Sequence, residues 1–312
     1  METLMRAVVQ TELGGPEVLT LTEIPRPEPG PGEILVRVEA AGVNPIDCKT
    51  RASGGLLRAS PPFTVGWDVS GVVEAVGRGV RLHRVGDEVY GMPSFPRFAG
   101  GYAEYVAAPA RHFDRKPAGL SHIEAAALPL AALTARQALV DTAGLGAGLR
   151  VLVHAGAGGV GHLAVQIAGS LGAFVIATAS PRKTGFVRKL GADVVLDYTA
   201  ADFAADLADV DVVLDAVGGD CTTRSAAVLR EGGTLVSLTQ PGTLAASDQR
   251  RISAGYMLVE PDHAGLQAIS TLVESGALAP TVSRTFPLDQ SGLAHEALEA
   301  GRTVGKIVLT VP

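Results

Sequence analysis

The sequence predicts an α/β protein in which a doubly wound parallel sheet stands beside a β-rich domain. Three observations carry this. Short, wholly apolar strands alternate with helix-length segments through the centre of the chain, the pattern of a parallel sheet covered by helices on both faces. Residues 5–110 alternate apolar and polar residues with period two instead. Between the first central strand and a helical pattern lies a glycine cluster, "HAGAGGVG" at 154–161.

In chain order, "METLMRAVVQ" enters a strand-like run directly, and "PRPEPGPG" keeps residues 25–32 extended and non-helical. "EILVRVEAAGV" and "VSGVVEAVG" read as strands. Gly86 and Asp87 turn into another short strand, and "GGYAEYVAA" supplies one more. At Ser121 the character changes: a Ser N-cap with Glu124 three residues on is a capping box, opening a helical stretch interrupted at Pro129. Strands follow at 150–155, 173–179, 193–197, 211–215 and 233–238, then a helix at 263–275. Period-two alternation returns in "GKIVLTV", a tail expected to rejoin the first domain. The expected division is therefore 1–122, completed by 281–312, and 123–280.

Composition narrows the partners. A chain of 312 residues that is 47% hydrophobic and 19% charged suits two globular domains. Its net charge of −6 argues against nucleic acid or an anionic membrane surface, which bind through clustered Lys and Arg. No secretory signal and no membrane span are expected, and two cysteines, Cys48 and Cys221, support neither a disulfide framework nor a four-thiolate zinc site. These features point to a cytoplasmic protein with a small-molecule partner.

The glycines Gly156, Gly158, Gly159 and Gly161, with Val160 among them, have the strand–turn–helix context of the Rossmann dinucleotide fingerprint. A pyrophosphate needs bare backbone N–H groups at a helix N-terminus, and a Cβ would block its approach. A tight turn packing helix on sheet would need only one or two of these glycines. An NAD binder places an Asp or Glu at the end of the next strand; here "ATASPRK" puts Ser180, Arg182 and Lys183 there, a donor and two cations suited to a 2′-phosphate. The cofactor expected is NADP(H).

With "AAGVNPIDCK", "VGWDVSGVVEAVG", "GGYAEYV", "LPLAALTARQAL", "HAGAGGVGHLAVQIA", "ATASPRK", "DAVGG" and "GKIVLTV" together, the chain resembles the medium-chain dehydrogenase/reductase superfamily over essentially its whole length, and within it the zinc-free quinone oxidoreductase branch. The resemblance implies a GroES-like β domain, split in sequence, with a Rossmann domain, and a homodimer. Where zinc-dependent relatives have a Cys and a His-Glu pair, this chain has Asn44 and Trp67-Asp68, so no metal site is expected. The resemblance also places Asn44, as the catalytic positioning residue, and Thr134 near the nicotinamide. It makes Tyr198 a second contact to the 2′-phosphate and Lys306 a cofactor-binding residue lining the cleft.

Each of these residues has a plainer reading. Asn44 before Pro45 suits a turn, Asp47 a helix cap, Thr134 a hydroxyl bonding its own helix, Tyr198 strand-end packing, and Lys306 an edge-strand lysine. Val217 and Gly218 follow the fourth Rossmann strand, where ligands of open parallel sheets lie. No general acid stands out; Tyr102 and His154 are the available groups.

Without a Lewis acid, the substrates that fit are quinones and α,β-unsaturated carbonyls, in which the charge delivered by hydride delocalises onto an oxygen. Two other readings fit the same motifs. One is an enoyl-thioester reductase of polyketide or fatty-acid type; the other is a non-catalytic NADPH-binding regulatory or structural protein.

Overall fold

The computed structural model describes residues 3–200, 202–239 and 253–312. Two compact units are formed: Met1–Leu133 with Glu260–Ser275 and Pro280–Pro312, and Thr134–Val259 with Gly276–Ala279.

The first unit opens with an antiparallel pair, β1 (Leu4–Val9) and β2 (Thr20–Pro25). Its main sheet is built on β3 (Glu33–Val43), whose continuous Val, Ile and Ala content buries nearly every residue. β3 pairs antiparallel with β4 (Asp68–Val76) and β6 (Tyr105–Pro109); β5 (Glu88–Gly91) and β7 (Phe113–Arg115) extend the sheet beyond β4. Val36, Val38, Val69, Val89 and Phe113 form its core.

Three helices matter for the site, the last of which runs across the boundary between the units at Leu133 and Thr134. α1 (Pro45–Ser53) has Asn44 as N-cap, Pro45 in its first turn, and Gly54 in the left-handed conformation (φ 78°) to end it. α2 (His122–Ala126) starts from the expected Ser121–Glu124 capping box. α3 (Pro129–Arg136) begins at the proline that interrupts the stretch and continues into a wider π-type turn over Gln137–Thr142. Gly42 lets α2 approach: a Cβ there would stand 2.4 Å from the Ala126 carbonyl oxygen and 2.8 Å from Asp68 Cβ.

The second unit is a six-stranded parallel sheet of β8 (Arg150–Val153), β9 (Phe174–Ala179), β10 (Val194–Asp197), β11 (Val210–Asp215), β12 (Leu229–Ser237) and β13 (Ser253–Tyr256). The order is β10-β9-β8-β11-β12-β13. After β8 its described helices are α4 (Gly161–Ser170), α5 (Thr184–Lys189), the short α6 (Phe203–Asp206) and α7 (Asp220–Val228). The chain steps outward from β8 to β9 and β10, then returns to lay β11 on the other side of β8, so winding reverses between β8 and β11. Open parallel sheets bind ligands at such a reversal.

Two strand boundaries differ from expectation by more than one residue. β8 stops at Val153 rather than 155, because Ala155 turns to φ 52°. β12 begins at Leu229 rather than 233, its first residue pairing with Val210 before a register shift. In the tail, β14 (Val282–Pro287) and β15 (Lys306–Thr310) return to the first unit, β15 lying between β14 and β3. Helices α8 (His263–Glu274) and α9 (Ser291–Glu299) flank these returns in sequence. No described helix is long and apolar enough to cross a membrane.

Candidate active site

In the second unit the expected residues collect at the carboxyl ends of four neighbouring strands. Gly156–Gly161 follow β8, Ser180–Lys183 follow β9, Tyr198 follows β10, and Val217 and Gly218 follow β11. Sequence separation hides this gathering, since the parallel crossovers bring every strand back in the same direction.

The glycine turn divides its labour. Gly156 N–H donates to Thr178 O (2.9 Å) and Gly158 N–H to Ala155 O (2.8 Å), so neither is available to a ligand. Gly156 and Gly161 are glycines for internal reasons: a Cβ on the first would lie 2.9 Å from Ala177 Cβ, and one on the second 2.2 Å from Ala155 O. By contrast the amides of Ala157, Gly159, Val160 and Gly161 meet no acceptor among the described residues. Four bare donors at the N-terminus of a ten-residue helix fit a diphosphate.

Two buried polar groups that sequence reasoning passed over hold the neighbouring turns. Thr178 Oγ1 accepts from Ala155 N–H (3.1 Å) and donates to His154 Nδ1 (3.3 Å), whose Nε2–H donates to Ser225 Oγ (2.8 Å). Burial pushes His154 down to about 4, so the imidazole is neutral and serves this frame rather than acting as an acid. Asp215 is fully buried; Oδ1 accepts from Val217 N–H (2.9 Å) and Gly218 N–H (3.0 Å), and Oδ2 from the Thr222 hydroxyl. Its position at the head of "DAVGG", beside glycines with positive φ, was the available signal.

Ser180 is the N-cap of a short 3₁₀ turn, Pro181–Lys183, that leads into α5. Arg182 is exposed, Lys183 is half-buried, and Tyr198 is 59% exposed, which does not suit strand-end packing. Thr134 is buried on α3.

Asn44 and Lys306 belong to the first unit, where they meet. Asn44 is no simple turn residue: it caps α1 in extended backbone, and its N–H donates to Asp47 Oδ2 (2.6 Å) in the back-bonding half of a capping box. Its Nδ2 donates to Asp68 Oδ2 (2.8 Å), and its Oδ1 accepts from Lys306 Nζ. Lys306 Nζ also reaches Asp68 Oδ2 (3.2 Å), and Asp68 Oδ1 accepts from Leu130 N–H (2.6 Å) in the first turn of α3. The edge-strand reading of Lys306 fails, because β15 is paired on both sides and the side chain is buried. The role of Asp68 toward Asn44 and Lys306 was missed; its marks in the sequence are its place in "VGWDVSG" and at the position of the His-Glu pair of zinc-dependent relatives.

Behind Asn44, Asp47 Oδ1 accepts from Gly66 N–H (3.1 Å). Burial raises the Asp47 carboxyl to about 7, against the lowering effect of the Asn44 N–H. Tyr102 is wholly buried, its hydroxyl 3.1 Å from His295 Nε2, and burial with the Asp47 charge lifts its phenol well above the ordinary range. Neither Tyr102 nor His154 is therefore an accessible proton donor. Burial also raises the Cys48 thiol to about 12, which makes it an inert core group.

Asn44, Trp67 and Asp68 do not make a zinc site. The Trp67 indole N–H donates to Arg97 O (2.8 Å), an amide stands at 44, and an ammonium already occupies Asp68. Among the described residues no cluster of three or more His, Cys, Asp and Glu side chains is arranged to hold a metal.

Comparison with known proteins bears on this geometry. Residues 30–118 match the family described as alcohol dehydrogenase GroES-like domain, and residues 190–309 the one described as zinc-binding dehydrogenase. The chain is 37% identical, over 98% of its length and 79% of the other's, to the chloroplastic NADPH-dependent alkenal/one oxidoreductase of Arabidopsis thaliana. It superposes on the quinone oxidoreductase of Coxiella burnetii with a TM-score of 0.92 at 38% identity, covering 99% and 100% of the two chains. A mycobacterial protein solved in complex with NADPH gives a TM-score of 0.88 at 34% identity, over 98% and 99%. The GroES-like and Rossmann domains and this whole-length similarity make the chain a member of the medium-chain dehydrogenase/reductase superfamily, in its quinone oxidoreductase branch.

Proposed function

We propose that the protein is an NADPH-dependent reductase that transfers hydride to quinones or α,β-unsaturated carbonyls without zinc. The observation that carries the cofactor is the pairing of four unclaimed amides at the start of α4 with Ser180, Arg182 and Lys183 after the next strand, where no carboxylate stands. Such amides suit a diphosphate, and the cations suit the 2′-phosphate that distinguishes NADPH. When bound, the nicotinamide supplies a hydride. On this reading Val217 and Gly218, Tyr198 and Thr134 belong to the cofactor side, carried by the second unit, and the first unit supplies the substrate side.

The chain's own groups support acceptors that need little electrophilic help. No metal ligand set is formed at Asn44, Trp67 and Asp68, and the titratable groups behind Asn44 are buried. Hydride delivered to a quinone or enone leaves negative charge spread onto oxygen, which a hydrogen-bond donor stabilises and solvent protonates. The relatives named for alkenals, enones and quinones are of this chemical class.

The test is a turnover panel of 1,4-quinones, 2-alkenals and enoyl thioesters, each with NADPH and NADH. NADPH consumption with quinones or alkenals is expected. Turnover confined to thioesters would replace this reading with an enoyl reductase, and tight NADPH binding with no oxidation would make the protein a binder.

A further inference from the structure

The Asn44 carboxamide sits between two full charges. Its Oδ1 faces the Lys306 ammonium and its Nδ2 faces the Asp68 carboxylate, 2.8 Å away. The three side chains are almost wholly excluded from solvent: Asn44 and Lys306 are each 2% exposed and Asp68 is 0%. Asp68 cannot swing away, because its other oxygen is held by Leu130 N–H at 2.6 Å, and the Asn44 backbone is tied to Asp47.

This arrangement decides which way the amide points. Turning it over would set its oxygen against a carboxylate and its NH₂ against an ammonium, replacing two charge-assisted hydrogen bonds with two repulsions. With that orientation fixed, the oxygen is taken by a cation and one Nδ2 hydrogen by an anion. The second Nδ2 hydrogen is the only polar hydrogen of the side chain with no partner among the described residues.

We propose that Asp68 and Lys306 are positioning residues that lock the Asn44 carboxamide as a hydrogen-bond donor, so that Asn44 recognises a carbonyl-type oxygen and rejects a donor group. The inference rests on the proposed reductase reading for its substrate, but the lock itself is a property of three side chains. It departs from the sequence expectation that Lys306 binds the cofactor directly. A carbonyl-type oxygen is available from the enone or quinone and from the nicotinamide carboxamide. The two sources separate by whether Asn44→Leu, close in size and without polar atoms, loses turnover at unchanged NADPH affinity or loses NADPH affinity itself.

A double-mutant cycle tests the lock. In Asp68→Asn the new amide keeps its oxygen on Leu130 N–H, so its NH₂ group faces the Asn44 NH₂, and a flipped Asn44 would face Lys306 with the same group, so neither orientation of Asn44 satisfies both neighbours. Lys306→Met strands the Asp68 carboxylate in the interior. Lys306→Met/Asp68→Asn removes both charges and lets Asn44 reverse. NADPH Kd is measured by fluorescence, kcat and KM by NADPH oxidation, and Tm by calorimetry.

Three results are expected together. Asp68→Asn lowers kcat by about tenfold or more, the scale of one lost charge-assisted hydrogen bond, while Lys306→Met, whose Asp68 carboxylate still holds the Asn44 NH₂ group, keeps more of it, and both move NADPH Kd no further than Asn44→Leu does. The double variant regains much of the Tm lost in Lys306→Met. It does not regain kcat, because the amide is content but reversed; a purely structural role would restore both.

The lock is refuted if Tm losses simply add, or if Asp68→Asn leaves kcat unchanged. It is also refuted if Lys306→Met weakens NADPH about tenfold whatever stands at 68 while Asn44→Leu leaves NADPH affinity unchanged, which would return Lys306 to the cofactor. If wild type binds NADPH yet reduces no quinone or enone, the reductase reading alone fails, and additive or non-additive Tm losses still decide the lock.

Discussion

Alanine at Gly161 and alanine at Gly158 should fail in different ways. At Gly161 the new Cβ would lie 2.2 Å from the Ala155 carbonyl oxygen, 2.8 Å from its carbon and 2.9 Å from Gly156 Cα, all backbone atoms. Relief requires a backbone shift of about 1 Å, and overpacking of this kind costs about 1–3 kcal/mol. For a unit of this size that lowers Tm by about 3–10 °C. The same shift moves the free amides of Gly159, Val160 and Gly161 off hydrogen-bonding geometry, so NADPH binding weakens as well.

Gly158 is otherwise placed. Its Cβ would meet Ala155 O at 3.2 Å, and within 4 Å of it only Ala155 Cβ besides, so it projects into open space beside the turn. Neither residue has positive φ, so alanine is tolerated by the backbone itself. Gly158→Ala should therefore leave Tm within about 2 °C of wild type while weakening NADPH about tenfold or more, through one blocked hydrogen bond to a charged group. Calorimetry of the unliganded protein and fluorescence titration with NADPH separate the two effects. Equal Tm values for Gly161→Ala and wild type would refute the packing role, and wild-type NADPH affinity in both variants would refute the diphosphate turn.

Replacing Arg182 and Lys183 together with alanine should weaken NADPH by about tenfold or more while changing NADH little, since exposed cations forfeit part of a charged hydrogen bond to solvent; equal losses would show that neither cation senses the 2′-phosphate. Asp47 supplies a pH signature. With its carboxyl raised to about 7 by burial, the folded state keeps a proton that the unfolded chain releases near pH 4, so its contribution is full below about pH 4 and declines as pH rises toward 7. Asp68, Lys306 and Tyr102 are the titratable groups that bear on it from the other elements. In Asp47→Asn this decline is absent, and its stability relative to wild type should climb between pH 4 and 7 by on the order of 4 kcal/mol, read by urea denaturation; a difference constant with pH would refute the buried-carboxyl account.

Local chemistry wrote much of this molecule into the chain. Ser121 and Glu124 cap a helix as their spacing demands, Pro129 starts the next one, and the apolar runs of β8 to β11 are strands because only a sheet covered on both faces buries such runs. The tail's alternation corresponds to β15, which pairs with β3. Less legible were the residues whose partners lie far off. Asp215 and Thr178 hold turns through bonds that span the helical crossovers, and Asp68 meets Lys306 across 238 positions. The glycine cluster itself was only half readable: the pattern announced a phosphate turn, but not that Gly156 and Gly161 answer to Ala177 and Ala155.

The sequence by itself determined the class of fold and the order of its elements, because periodicity, caps and glycine spacing are local properties of the chain. Only the tertiary structure decided that Lys306 is an interior ion rather than an edge lysine, and which way the Asn44 amide points. Both depend on charges brought within hydrogen-bond distance by strand pairing in a low-dielectric interior, where their energies are large, and no local pattern encodes which distant charge will arrive.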